Sequence, residues 1–205
     1  MTKNEVNKLY AIGNAKWYDY FKNIWNKLVA SKAEEELANF LKNSLDKNKT
    51  ILELGCGTAL NLQKIFSLRL KFKEYLGLDF SKDMLRIAKE KFKNNPKIKF
   101  KEKDISKLNI KNKYDIIICT WVLSHLQSPS TVINIAQKLL KKNGKMFIIF
   151  FSEPKWYVKF WLSALAKMFF KANYVANSEV NKFNNVCKKQ KYSSNIVTTI
   201  QIKYT

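Results

Sequence analysis

The chain has 205 residues, 46% of them hydrophobic and 14% aromatic, which excludes a disordered chain and suits one domain with a full core. No apolar run approaches the roughly 20 residues of a membrane span, and the N-terminal stretch lacks the apolar segment of a secretory signal. The formal net charge of +22 favours an anionic partner, but only Arg69 and Arg86 are arginines, so we interpret the charge as composition bias and rank nucleic acid low.

Apolar side chains recur at helical spacing between residues 14 and 45 and predict two helices there. Strands and helices alternate after that. The predicted strands are "TILELG", "EYLGLDF", "KIKFKEKD", "YDIIICTW" and "KMFIIFF". The predicted helices are "LNLQKIFSL", "SKDMLRIAKEKFK", capped by Ser81, and "STVINIAQKLLKK", ended by Asn143-Gly144. This order indicates an α/β fold: a Rossmann-like, doubly wound, mostly parallel sheet with helices on both faces.

Ligands of such sheets bind beyond the carboxyl ends of the strands, so the residues at those ends form the candidate site. The first strand ends in "ELGCG", where Gly55 and Gly57 let a ligand approach the backbone closely. A dinucleotide fingerprint would need a third glycine where Leu60 stands, and no acid at Glu53. The second strand ends in Asp79, at an offset from which a carboxylate accepts hydrogen bonds from ribose hydroxyls.

The third strand ends in Asp104-Ile105, and the fourth ends in Thr120-Trp121 with Ser124 and His125 just beyond. In this order, five segments resemble the motifs of the class I S-adenosylmethionine-dependent methyltransferases: "LELGCGTA", "LGLDFSKDML", "KFKEKDISKL", "YDIIICTWVLSHL" and "LLKKNGKMFIIF". The resemblance runs from about Thr50 to Phe151. It implies S-adenosyl-L-methionine as cofactor and S-adenosyl-L-homocysteine as product.

The resemblance also implies which residues hold this cofactor. Asp79 would bind the ribose, Met84 would lie near the adenine, and Asp104 and Ile105 would meet its amino group and ring. The full implied set is Glu53, Gly55, Cys56, Gly57, Asp79, Phe80, Met84, Asp104, Ile105 and Thr120, with no metal. Glu53 would form hydrogen bonds within or beside the site, or have a structural role. The cysteines Cys56, Cys119 and Cys187 are scattered without metal-ligand spacing and favour a reducing cytoplasm, and we interpret Cys56 as a packing residue.

A looser likeness covers the N-terminus. The stretch "YAIGNAKWYDYF" resembles a segment before the core in methyltransferases of quinone biosynthesis and in some phospholipid N-methyltransferases. It implies that Tyr10 and Tyr18 are neighbours of the cofactor; the alternative is that they are ordinary packing aromatics.

We expect one methyltransferase domain, with an N-terminal helical cap at 1–47, a cofactor-binding core at 48–151, and acceptor-side helices and a terminal strand at 152–205. The family's sheet ends in an antiparallel hairpin. Here "SSNIVTTIQIKYT" supplies one good strand, so we expect six or seven strands, with the last strand missing or the sequence truncated.

Methyl transfer from a sulfonium is an in-line displacement, and a base is needed only where the acceptor must lose a proton. His125 is the only histidine, and we interpret it either as a general base or acceptor contact, or as a helix-start residue with local hydrogen bonds. The fourth strand ends in "CTWVLSHL", without the Asn/Asp-Pro-Pro-aromatic or proline–cysteine segments of two nucleic-acid methyltransferase groups. This favours a small-molecule acceptor, lipid- or quinone-like. The alternatives are an RNA or protein acceptor, and a non-catalytic cofactor-binding scaffold.

Residues 155–175 predict a helix inserted after the fifth strand, with an apolar face opposite a lysine face that aromatics flank. Such a helix would lie at a membrane interface, making the protein cytoplasmic but peripheral to the membrane. Alternatively, it would be a lid that packs on the acceptor cleft with its lysines in water.

Overall fold

The computed structural model describes residues 20, 24–156 and 174–204. The strands are β1 (Thr50–Leu54), β2 (Glu74–Asp79), β3 (Ile98–Glu102), β4 (Tyr114–Thr120), β5 (Leu140–Phe151), β6 (Val186–Tyr192) and β7 (Val197–Lys203). The helices are α1 (Ser31–Lys42), α2 (Leu60–Ser67), α3 (Lys82–Lys91), α4 (Pro129–Gln137) and the single turn α5 (Asn177–Val180). Short 3-10 turns lie at Ile105–Lys107 and Leu123–His125.

The strands form one seven-stranded sheet in the order β3-β2-β1-β4-β5-β7-β6. Strands β1 to β5 pair in parallel, whereas β7 runs antiparallel to both β5 and β6. The chain winds outward from β1 in one direction to β3 and in the other to β5. The order therefore reverses between β1 and β4, and a cleft is expected beyond their carboxyl ends. This topology confirms the predicted doubly wound, mostly parallel sheet.

The core has two layers, one on each face of the sheet. One layer packs α1, α2 and α3 on residues such as Ile51, Tyr75 and Phe147. The other packs α4 on residues such as Leu52, Ile117 and Ile148. Strands β4 and β5 contribute to both layers, which explains why their sequences contain continuous apolar runs.

The predicted end of the fourth helix is wrong. Helix α4 ends at Gln137, and Leu140 already pairs with Tyr114 of β4. Asn143 does adopt a left-handed backbone, with φ of 62°, but it lies inside β5 and its N–H donates to the Tyr204 carbonyl oxygen at 2.9 Å. The Asn-Gly pair therefore bends an irregular strand and does not end a helix.

The expectation that the last strand is missing is also wrong, because β6 pairs with β7 and completes the hairpin. Sequence reasoning missed β6 because it is an edge strand exposed on both faces, so it has no apolar alternation. Its lysines, Lys188, Lys189 and Lys191, are the kind of residue that keeps an edge strand from pairing with another molecule.

Several expectations fall outside the described residues. Tyr10 and Tyr18 lie in the first nineteen positions, and most of the predicted inserted helix lies between 156 and 174. Within the described ranges, no helix is both long enough and apolar enough to span a membrane.

A buried carboxylate on α1 joins this helix to the C-terminal hairpin. Glu36 accepts hydrogen bonds from the Tyr192 hydroxyl at 3.0 Å, the Gln201 amide at 3.2 Å and the Thr199 hydroxyl, and it pairs with Lys188 at 2.7 Å. Burial alone would raise the pKa of Glu36, but these hydrogen bonds outweigh burial and the pKa lies below its ordinary value. The helix is thus fixed on the sheet by a polar contact beside its apolar face.

Replacing Glu36 with Ala should lower the free energy of unfolding by about 1–3 kcal/mol, because buried donors on the hairpin lose their acceptor. Urea unfolding at pH 7 measures this loss. Since the folded pKa is lowered, the contribution of Glu36 is present above its unfolded pKa of 4.5 and is lost as the pH falls through the lower folded value. Lys188→Ala is the control and should cost less, because its partly exposed ammonium is easily solvated. Equal losses for the two variants would contradict this account.

Candidate active site

The glycine turn follows β1 at the reversal of strand order. Gly55 and Gly57 both have positive φ values, of 69° and 53°. A Cβ on Gly55 would lie 2.5 Å from Val122 Cγ2, whereas a Cβ on Gly57 would meet no atom within 4 Å. Gly55 is therefore required by close packing against the end of β4, and Gly57 leaves open space above the turn.

Two depressions meet over this turn, and together we call them the glycine-turn cleft. Its first end is lined by acidic and amide side chains, among them Glu34, Glu53 and Asn61. Its second end is lined by Asp79, Phe80, Met84, Val122 and His125. Both ends share Gly55, Gly57, Thr120 and Trp121. The structure thus brings together most of the residues expected from the sequence.

Glu53 is the centre of a buried hydrogen-bond network beneath the first end. Its two carboxyl oxygens accept from the Asn61 amide at 2.8 Å and from the Tyr75 hydroxyl at 2.5 Å. Asn61 also donates to the Thr120 hydroxyl at 2.8 Å, so one amide connects β1, α2 and β4. The prediction that Glu53 forms hydrogen bonds beside the site agrees with this geometry. Asn61 and Tyr75 carry no motif and were missed.

The surroundings of Glu53 change its protonation. Burial raises its pKa from the ordinary 4.5 to about 7, and the nearby carboxylates Asp79 and Glu34 add to the rise, while hydrogen bonds from Tyr75 and Asn61 oppose it. A cation entering the cleft would favour the charged form, because opposite charges stabilise each other at short range. The first end is therefore suited to a positively charged ligand.

A second acid, Glu34 on α1, borders the same end. It accepts a hydrogen bond from the Trp121 indole at 3.2 Å and pairs with Lys64. Trp121 has a left-handed backbone, with φ of 65°, and its ring packs on Phe151 at 5.0 Å. The sequence analysis noted Trp121 at the strand end but missed Glu34. The sequence marks Glu34 only as an acidic residue at the border of an apolar helix face.

Asp79 supports the second end. Its carboxyl oxygens accept from the Gly57 N–H at 2.8 Å and from the Ser81 N–H at 2.9 Å. Burial raises its pKa, and these backbone hydrogen bonds oppose that rise. Ser81 in turn caps α3 by accepting from the Met84 N–H, as predicted. Asp79 therefore holds the glycine turn against α3 while it borders the cleft.

His125 lies in the 3-10 turn after β4 and faces the second end, as expected. Burial lowers its pKa to about 4, so the imidazole is neutral at pH 7. A neutral imidazole accepts a hydrogen bond through one nitrogen and donates through the other.

The remaining predicted residues are placed as follows. Cys56 is buried, and burial raises its thiol pKa well above the ordinary value, which agrees with a packing role.

Asp104 accepts from the N–H and hydroxyl groups of Ser106, and Ile105 is buried in the α4 layer. Neither is among the residues that line the two ends of the cleft, so their contacts with adenine stay a prediction. Of the described residues, no His, Cys, Asp and Glu side chains cluster as a metal site would require.

A family model described as a methyltransferase domain matches residues 45–203. The chain belongs to this methyltransferase family. The match confirms the predicted family. It also confirms S-adenosylmethionine as the cofactor, because this is the cofactor that the family uses. The cleft fits that group: open space above Gly57, acids at the first end for its cationic part, and Asp79 at the second end for its ribose.

The methyltransferase is similar to several named proteins. It is 31% identical to malonyl-[acyl-carrier protein] O-methyltransferase 1 of Ilyobacter polytropus over 70% of this chain and 51% of that protein. It is 31% identical to the ubiquinone biosynthesis O-methyltransferase of Pelagibacter ubique over 72% of this chain and 64% of that protein. A solved magnesium protoporphyrin IX methyltransferase from Synechocystis, with S-adenosylhomocysteine bound, superimposes with a TM-score of 0.69 at 18% identity over 100% of both chains. The chain spans about half the length of the first curated relatives that it matches, 48% and 51%.

Replacing Gly55 with Ala should destabilise the methyltransferase more than replacing Gly57. Both substitutions place alanine in a left-handed conformation, which costs about 1–2 kcal/mol, but only the first also creates a clash with Val122, worth about 1–3 kcal/mol more. Urea unfolding measures the difference. Adding Val122→Ala to the Gly55→Ala variant should recover part of the loss, and no recovery would contradict the packing account.

Replacing Glu53 with Gln should change how stability depends on pH. Since the folded pKa is raised, the wild type loses stability as the pH rises from 4.5 through about 7, by at most about 3 kcal/mol. Glutamine removes this loss, so the difference between variant and wild type should move in the variant's favour across this range. His125 has the opposite dependence in both proteins and cancels in the difference. Parallel curves of unfolding free energy against pH for the two proteins would contradict a raised pKa of Glu53.

Proposed function

We propose that this methyltransferase transfers a methyl group from S-adenosylmethionine to an oxygen of a small-molecule acceptor. The observation that carries the proposal is the glycine-turn cleft, in which an acidic end and an end containing a neutral imidazole meet over one backbone turn. Family membership supports the cofactor, and the acceptor is argued below from the second end of the cleft.

The chain's own residues would bind the two reactants and orient them. When bound, the cofactor supplies an electrophilic methyl group on a sulfonium. Glu53 and Glu34 would stabilise positive charge at the first end, and Asp79 would accept hydrogen bonds from ribose hydroxyls at the second. The packing of Val122 against Gly55 fixes the turn, so both ends keep their relative positions. Such positioning is the main contribution that an enzyme makes to an in-line displacement.

His125 is best suited to contact the acceptor. An imidazole whose pKa is about 4 is a weak base at pH 7, so complete removal of a proton from an alcohol is unfavourable. It can accept a hydrogen bond from an acceptor hydroxyl or donate one to a carboxylate. Trp121 and Val122, which line the same end as His125, are apolar and suit a carbon skeleton.

The relatives support an oxygen acceptor. Two of them are named O-methyltransferases, one for malonyl-[acyl-carrier protein] and one in ubiquinone biosynthesis. The strand-four segment "CTWVLSHL" lacks the motifs of two nucleic-acid methyltransferase groups. We therefore rank a carboxylate or hydroxyl on a small apolar molecule first.

One observation favours RNA as the second candidate acceptor. Lys97, Lys99 and Lys101 are exposed at alternate positions around β3, and in the described part of the chain their ammonium groups have no acidic partner. If RNA binds there, its affinity should fall steeply with salt, and a Lys97/Lys99/Lys101→Gln variant should reduce the slope of log K against log salt by about 2.

A non-catalytic scaffold is less favoured, because it would not need to keep Glu53 and Asp79 beside the turn.

We also propose that the protein is cytoplasmic and contacts a membrane peripherally. The described start of the 155–175 segment contains Trp156, which is 84% exposed, beside Lys155. Aromatic and lysine side chains together suit a membrane interface. Co-sedimentation with anionic liposomes that disappears in Trp156→Ser would support contact, and no co-sedimentation of the wild type would exclude it.

Formation of S-adenosylhomocysteine with a panel of small carboxylic acids, acyl thioesters and phenols tests the function. We expect turnover with at least one member and none with RNA. With that acceptor, His125→Asn should lower kcat/KM by about tenfold, as expected for one lost hydrogen bond of about 1.4 kcal/mol. Leu126→Val, beside His125 but outside the lining of the cleft, is the control for disturbed packing and should change kcat/KM less. Turnover with RNA alone would contradict the proposed acceptor class.

A further inference from the structure

A second groove lies away from the glycine-turn cleft. It is formed where the C-terminal half of α1 crosses β5, β7 and β6, toward the amino-terminal end of β5. Its volume is about 330 Å³, a size typical of small-ligand sites. Its polar lining includes Lys145, Lys188, Lys203, Asn39, Asn43 and Ser44. Most of these side chains are hydrogen-bond donors.

Two of the lysines oppose each other directly. Lys145 of β5 and Lys203 of β7 are register partners in an antiparallel pair, and both line the groove. Cβ atoms of such partners lie about 4.5–5.5 Å apart, and residues of like charge that stand directly opposite each other destabilise a sheet. An anion between the two ammonium groups would remove this repulsion.

Among the residues that the structure describes, none supplies such an anion. Glu36 is the only carboxylate that lines the groove, and Lys188, Tyr192, Thr199 and Gln201 already bind its oxygens. Lys145 donates to the neutral Ser44 hydroxyl at 3.4 Å. Across the described ranges, neither Lys145 nor Lys203 has a carboxylate within ion-pair distance.

Neutral donors complete the lining. The side-chain amides of Asn39 and Asn43 face the same groove, and neither forms a hydrogen bond to another described residue. Together with the Ser44 hydroxyl they surround the lysine pair with groups that can bind several oxygens at once. A phosphate dianion matches this arrangement, because its two charges balance two ammonium groups and its oxygens accept several hydrogen bonds.

We propose that this groove binds a phosphate dianion between Lys145 and Lys203, either as free phosphate or as the phosphoryl group of a small phosphomonoester. Asn39, Asn43 and Ser44 bind its remaining oxygens. The inference does not depend on the proposed methyl transfer, because the cleft lies at the carboxyl ends of β1 and β4 and shares none of these residues.

Calorimetric titration of the full chain with inorganic phosphate, and separately with glycerol 3-phosphate, tests the proposal at constant ionic strength set by sodium chloride. We expect saturable binding at one site. Lys145→Gln and Lys203→Gln should each weaken binding by about tenfold, since each removes one charge-assisted hydrogen bond. The matched control is Lys142→Gln, which removes the same charge from an exposed position of the same strand and should change the affinity less than twofold.

The two ligands distinguish the sources of the anion. Tighter binding of glycerol 3-phosphate indicates a phosphomonoester site, and equal affinities indicate free phosphate. Thermal unfolding without phosphate checks the variants: removing the repulsion should leave the Tm of Lys203→Gln equal to or above that of the wild type. No phosphate binding by the wild type, or equal weakening in all three variants, would overturn the proposal. S-adenosylmethionine binding should be unchanged in Lys203→Gln whatever the outcome for phosphate.

Discussion

The cleft depends on one buried carboxylate at the end of β1. Glu53 is held by Asn61 of α2 and Tyr75 of β2, and Asn61 also binds Thr120 at the end of β4. These hydrogen bonds connect the elements between which the strand order reverses. Burying an acid is costly unless its oxygens are bound, so the contacts that satisfy Glu53 also fix the geometry of the glycine turn above it. The same hydrogen bonds therefore contribute to the stability of the fold and to the shape of the cleft in which a ligand would bind.

The electrostatics of this cleft are opposite to those of the whole chain. The protein has a net charge of +22, yet Glu34, Glu53 and Asp79 lie around the glycine turn, and the nearby Lys64 is paired with Glu34. We therefore expect acids to bind a cationic cofactor locally, while the basic surface attracts anionic molecules elsewhere. The groove beside α1 shows the opposite arrangement. There lysines oppose each other, and no acid among the described residues lies between them.

Local signals predicted much of the fold and part of the site. The five parallel strands follow from apolar runs or, in the edge strand β3, from alternating apolar residues, and Ser81, Gly55, Gly57 and Asp79 follow from positions at strand ends. Edge strand β6 was missed because exposure on both faces removes its alternation, and the end of α4 was misplaced because Leu140 packs equally well from a strand. Glu34, Asn61 and Tyr75 were missed because their roles arise from tertiary contacts between distant parts of the chain.

The central claim is that the glycine-turn cleft binds S-adenosylmethionine through its acids. Calorimetric titration of the wild type and of Asp79→Ala with S-adenosylmethionine tests it most directly, with circular dichroism to show that the variant is folded. We expect one site per chain in the wild type, and binding weakened by at least about tenfold in the variant, where hydrogen bonds to the ribose are lost. Absence of binding heat in the wild type, or equal affinity in a folded Asp79→Ala variant, would contradict it.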